Sequence, residues 1–298
     1  MRSGKPRQIR NISVFPLSGM HALCEHHSML SSATMIEFLR VHRTGLVLGA
    51  LMLMAATCVA RAEGCAFEPQ GEGHVAAVID ARTFRLQDGR EVRLAGIEPV
   101  ASDVAGEKAK PSSALAAIIA GHDVSLRGED DTPDRYGRQP AFVFLDSMDT
   151  LVQGELLTQG EALVSATVAN KDCAAVLTAA EAAARQAKRG IWADPAAIKS
   201  AESSGDILAG VGRFTVVEGK VLSVRQAGAT TYLNFGRNWT RDFAVTISKR
   251  ALADLAGAGI VPKSLENRRI RVRGWVEART GPRMEVQRAG QIEVLGAD

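Results

Sequence analysis

The sequence predicts a mainly β protein with helices, an α+β chain built from two β-rich units. Three observations carry this. Apolar and polar residues alternate with a period of two through 73–97 and again in 218–236, 241–248, 268–278 and 282–295, the pattern of half-buried strands. Asp88-Gly89 falls between two such runs, where it marks a hairpin turn. Gly73-His74-Val75 with Val78 is echoed by Gly219-Lys220-Val221 with Val224, which fits two barrels of related type.

Residues 1–62 read as a leader rather than as fold. Arg40, His42 and Arg43 precede the apolar run 45–60, and Ala60-Arg61-Ala62 follows it; a charged start, an apolar centre and an A-x-A end make a secretory signal peptide over about 35–62, cut after Ala62. The apolar run, about 16 residues, is short for a bilayer-spanning helix of roughly 20, so no integral membrane segment is expected in the mature chain. The expected location is exported, periplasmic or secreted. Cys58 follows Ala55-Ala56-Thr57, a poor lipoprotein box. Cys24, His26 and His27 lie ahead of the signal and are read as part of an overlong start, with Met29 or Met35 as the true first residue, rather than as a metal site. Cys65 and Cys173 then remain. In an oxidising compartment they are candidates for a disulfide closing a loop of about 107 residues; two separate buried thiols are the other reading.

The first unit is expected over 63–195. Within it, 73–97 forms a β-meander, 107–120 a short helix, 122–128 and 140–146 strands, and 151–164 a helix followed by a strand. In 174–192, Val176, Leu177, Ala180, Ala184 and Ala187 make the inward stripe of a helix, Lys188 and Arg189 suit its negative end, and Gly190 stops it. Residues 196–210 are small, polar and unpatterned, and read as a linker. The second unit, 211–298, holds the later alternating runs, with one helix near Lys249 to Ala256.

Charge separates the two units. The net charge is +5 over 1–62, −9 over 63–210 and +7 over 211–298, for the whole-chain +3. A split of this size locates polyanion affinity in the last ninety or so residues, or lets the two units attract each other.

The order of motifs in the first unit, Ile79-Asp80 with Thr83, a hairpin, Arg93-Leu94 with Gly96-Ile97-Glu98, a helix, Asp134 with Tyr136-Gly137-Arg138, a strand, and a last helix ending Gly190-Ile191-Trp192, resembles the thermonuclease (staphylococcal nuclease-like) family. The resemblance implies an OB-type five-stranded barrel with helices packed on it, and calcium-dependent phosphodiester hydrolysis of DNA or RNA. There, two acids hold calcium, a glutamate activates water and two arginines neutralise the phosphate. Carried over, the arginines are Arg93 and Arg138, Tyr136 contacts the nucleotide, and Glu98 is one metal-binding acid. The second acid position holds Arg82. The water-activating position falls on Ala101, with Asp103 two residues late. Calcium is implied if the family activity survives, and with Arg82 in place no cofactor is expected. Arg93 also has a structural reading, as a partner of Glu98 or Asp80, as does Arg138 with Asp134; Arg82 is itself able to satisfy Glu98.

The second unit resembles the OB-like domains appended to some thermonuclease-like proteins. Such barrels stack bases on exposed aromatics beside a basic groove. Tyr232, Phe235, Trp239 and Trp275 are the aromatic candidates, with Arg237, Arg241, Arg269, Arg271 and Arg273 as the basic ones. Alternation puts Arg269, Arg271 and Arg273 on one strand face. Single-stranded DNA or RNA is the partner implied. After the leader only His74 and His122 remain as histidines, there is no paired CxxC, and no G-x-S-x-G, Walker or dinucleotide motif occurs, which argues against zinc, serine-hydrolase and nucleotide-fold chemistry. The expectation is an exported nuclease relative that binds nucleic acid or another polyanion; a divergent metal-dependent phosphodiesterase and an envelope scaffold are its rivals.

Overall fold

A computed structural model describes residues 64–100, 113–145 and 149–296. The leader, its cysteines and histidines, and the positions of Ala101 and Asp103 lie outside the described residues.

The meander expected at 73–97 is present. Strand β1 (Glu68–Asp80) turns into β2 (Thr83–Leu86), and Asp88-Gly89 turns β2 into β3 (Glu91–Leu94). Gly89 sits at φ 92°, a left-handed conformation that glycine adopts without steric cost. β4 (Ile97–Pro99) leaves the barrel, α1 (Ser113–Ile119) crosses over, and β5 (Asp123–Gly128) and β6 (Gln139–Leu145) follow. β1 pairs with both β2 and β5, β5 with β6, and β6 in parallel with β3. This closes a five-stranded barrel in the order β1-β2-β3-β6-β5. Phe84, Val92, Leu94, Leu126 and Val143 fill it, each 1% exposed or less. β7 (Thr150–Leu151), α2 (Val152–Gln159), β8 (Ala162–Val164) and α3 (Lys171–Gln186) pack on the barrel, with β8 pairing with β4.

Cys65 and Cys173 are bonded, 108 positions apart, tying the segment before β1 to the first turn of α3. Leu177 and Ala184 of the expected helix stripe are buried, but Ala187 is exposed and the stripe also carries Glu181, 1% exposed.

The stretch 196–210, read as a linker, is folded. It holds β9 (Ile198–Ser200) and α4 (Ser204–Leu208), and buries Ala201 and Ile207. β9 adds in parallel to β10 (Phe214–Lys220). β11 (Ser223–Ala227), β12 (Thr230–Asn234), β13 (Ala244–Ser248), α5 (Lys249–Gly257), β14 (Arg269–Ala278), β15 (Pro282–Val286) and β16 (Ile292–Val294) complete the chain. Their pairing runs β11-β12-β13-β15-β14-β10, with β13 and β15 parallel. Taken as one bent strand, β10 and β11 make this the same cyclic order as the first barrel, with a helix again between the third and fourth strands. A small apolar cluster of Leu163, Ala184, Trp192 and Val216 joins the two halves.

Candidate functional site

The arginines of the first barrel converge at one end. Arg82 lies in the tight β1–β2 turn, where its amide donates to Asp80 Oδ1 at 2.8 Å. Its guanidinium Nη1 donates to Glu98 Oε2, and both side chains are largely buried, at 16% and 13% exposure. Arg93 lies on β3 opposite Thr83 and beside Pro140. It is half-buried and makes no hydrogen bond or ion pair among the described residues. Burial, helped by the guanidinium groups of Arg82 and Arg138, pushes its pKa below the ordinary arginine value. The site therefore favours a negative charge beside Arg93. Among the described residues, Thr83 Oγ1, on the neighbouring strand, is buried without a hydrogen-bond partner.

Arg138 is held in a five-residue loop built on Asp134. That carboxylate accepts from Arg138 Nε and Nη2 at 2.9 and 2.7 Å and from the Tyr136 amide at 2.9 Å. Gly137 makes the turn at φ 78°. The Arg138 hydrogen bonds hold Asp134 at a pKa of about 2, and the same pairing raises that of Arg138. Tyr136 is 64% exposed, with Arg135 and Arg138 4.7 and 4.9 Å from its ring centre. Of the three structural readings, Arg138 with Asp134 and Arg82 with Glu98 are formed, and the pairing of Arg93 with Glu98 or Asp80 is not.

The second unit presents its arginines differently from the sequence expectation. Arg269 and Arg271 donate to Glu218 at 2.9 Å each, and Arg271 also donates to Glu293 at 2.8 Å. Burial raises the Glu218 pKa, but the hydrogen bonds from Arg269 and Arg271 outweigh it and the net shift is downward. Arg273 is 5% exposed and forks onto Glu181 of α3 at 2.7 and 2.8 Å. The three do share a strand face, as alternation requires, but acids lie across from it. Phe235 is core, packed against Phe243, and Trp275 stands edge-on to Phe214.

Tyr232, Trp239 and Arg237 do come together. They line an open cavity of about 810 Å³ with Arg225 and Arg283, two residues that sequence reasoning missed because each is an isolated arginine in an ordinary alternating strand.

The cyclic strand order, with its parallel third and fifth strands, defines the first unit as an OB-type barrel. Residues 91–194 match the family described as staphylococcal nuclease homologue (SNase), so the chain carries an SNase domain, whose barrel extends ahead of the matched residues into β1 and β2. At the family level such a domain points to nuclease action or nucleic-acid binding, and the family is calcium-dependent. Comparison with curated proteins gives no match. Among the described residues, no helix is long and apolar enough to cross a membrane.

Proposed function

We propose that this is an exported protein that binds nucleic acid, or another polyanion, at an SNase-type site without hydrolysing it. The Arg82–Glu98 pair carries the reading. By resemblance, the position of Arg82 belongs to a calcium-binding acid; here it delivers a cation to the other metal-binding carboxylate. The described donors do not fit calcium. Glu98 is neutralised, Asp80 accepts from the Arg82 amide, and a guanidinium about 5 Å from a divalent ion repels it by roughly 6–7 kcal/mol at an effective dielectric near 20. No group of three or more metal-binding side chains occurs among the described residues.

Recognition without hydrolysis follows. Arg93 offers a partly desolvated guanidinium that makes no ion pair among the described residues, suited to charge-assisted bonds with phosphate oxygens. Export is inferred from the signal pattern at 35–62 and is supported by the Cys65–Cys173 bond, since disulfides persist in oxidising compartments.

Anisotropy of labelled single-stranded DNA over a salt series tests the reading. Binding is expected to weaken with salt, and Arg93→Ala to reduce affinity about ten-fold or more, the loss of a charged hydrogen-bond pair. No cleavage is expected in calcium, magnesium or manganese. Cleavage abolished by Arg138→Ala would favour a divergent phosphodiesterase instead, and absence of binding at low salt would favour a scaffold.

A further inference from the structure

The cavity on the C-terminal sheet lies apart from the arginine cluster of the first barrel and has its own chemistry. Its floor is strand β12, where Tyr232 sits opposite Arg225 of β11. Arg283 of β15 places its guanidinium 5.5 Å from the Tyr232 ring centre. Trp239, 65% exposed, forms one wall and Arg237 stands beside it. Among the described residues, no carboxylate lines the cavity and neither Arg225 nor Arg237 has an acidic partner. This contrasts with Arg269, Arg271 and Arg273, each of which is paired.

Trp239 is displayed by a rigid loop. Phe235 and Phe243 anchor its two ends in the core, and the Phe235 amide donates to the Phe243 carbonyl at 3.2 Å. Inside the loop, the Asn238 amide donates to Asp242 Oδ2 at 2.7 Å and the Thr240 amide to Asn238 Oδ1 at 3.1 Å. Asp242 is thereby turned into the loop. A Cβ on Gly236 would meet that carboxylate, so the close approach requires glycine. An indole held in water by a hydrogen-bonded loop forgoes the burial that such a side chain normally gains, and its ring is already oriented for a partner.

We infer that this cavity is a binding site for single-stranded nucleic acid, with Tyr232 and Trp239 stacking on bases and Arg225, Arg237 and Arg283 taking phosphates. Aromatic faces with interleaved guanidinium groups suit an alternation of flat bases and anionic linkages. A duplex keeps its bases stacked inside and offers no ring faces to such a wall. The inference deepens the proposed function and rests on its nucleic-acid reading, although its residues are separate from Arg93.

The test measures binding of the full chain to oligo(dT) of about twelve nucleotides, within the span of a single OB-type site, against an abasic strand and a duplex of equal length. Trp239→Ala, at an exposed position, is expected to weaken oligo(dT) about ten-fold while leaving the abasic strand unchanged. Arg225→Ala with Arg237→Ala is expected to weaken both strands and flatten the salt slope by about 1.4, the share of two phosphate contacts. If Trp239→Ala binds oligo(dT) like the parent while Arg93→Ala weakens it, the cavity assignment is overturned and the first-barrel reading stands. If Trp239→Ala weakens oligo(dT) and Arg93→Ala does not, the assignment stands and the first-barrel reading fails. Equal affinity for duplex and oligo(dT), or for abasic strand and oligo(dT), in the parent also overturns it. A parent that binds none of the three at low salt overturns both.

Discussion

Arg82 and Glu98 hold each other with most of their surface out of water, so each depends on the other for its hydrogen bonds. Calcium is therefore expected to leave the melting temperature of the parent unchanged. Arg82→Asp places a third carboxylate where the guanidinium was, beside those of Glu98 and Asp80, and that variant is expected to be less stable in chelator and to gain stability when calcium is added. A calcium-dependent melt of the parent, read by scanning fluorimetry, would show that the site still takes a metal. Asp134 gives a pH prediction. Its pKa of about 2 in the folded chain lies below the ordinary value of about 3.9, so the folded state binds fewer protons in that range. Its stabilisation is present above about pH 4 and is lost as pH falls toward 2. Denaturant titrations across that window are expected to show a shallower decline for Asp134→Asn than for the parent; identical slopes would remove Asp134 as the cause. Both pairs were legible in the sequence: Asp134 and Arg138 lie within one turn, and the motif order of the first unit assigns the positions of Arg82 and Glu98 to one site. The fate of Arg269, Arg271 and Arg273 was not, since alternation says which residues share a face and nothing about what the face meets.

At the scale of elements, the telling contact is β14 against α3. Arg273 and Glu181 are 5% and 1% exposed, and Glu181 also accepts from the Val164 amide at 2.7 Å. Arg273→Met leaves the buried Glu181 carboxylate with only the longer contact to Arg185 at 3.5 Å, a loss that approaches the roughly 3–5 kcal/mol of a broken buried pair. Adding Glu181→Gln is expected to restore more than half of that, because a neutral amide still accepts from Val164 and carries no charge to desolvate. Urea denaturation of the single and double variants measures both. A double variant as unstable as the single would mean that the packing of Arg273, rather than charge, is what matters. In the sequence, Glu181 looks like one more surface acid on an alanine-rich helix. Its burial became visible only with Arg273 of β14 forked onto it. The charge split of the chain did foreshadow it, since mutual attraction of an acidic and a basic half is what this pair expresses locally. The folded stretch at 196–210 was hidden for a related reason. β9 has three residues, too few to show a period, and it is a strand because β10 offers it an edge.

Across the whole molecule, α3 ties three things together. It carries Cys173, bonded to Cys65 ahead of β1, it carries Glu181, and its Ala184 joins Trp192 and Val216 in the cluster between the two halves. The disulfide loop encloses every strand of the first barrel and none of the C-terminal sheet. Cys65→Ser with Cys173→Ser releases a loop of 108 positions, worth about 4–5 kcal/mol of unfolded-state entropy. If the first barrel were independent, only that barrel would lose stability. With α3 shared, the loss is expected to reach both halves, so that probes of each shift together to lower denaturant and a single transition is kept. Trp192 reports the junction, and Trp239 and Trp275 report the C-terminal sheet; Trp192→Phe in one background, and Trp239→Phe with Trp275→Phe in the other, separates the signals. Two transitions in the disulfide-free chain, with the C-terminal sheet melting where it does in the parent, would show that α3 does not couple the halves. One shared transition would mean that a phosphate bound at Arg93 and a strand stacked on Trp239 stabilise the same folded unit, and that their effects on its stability report on each other.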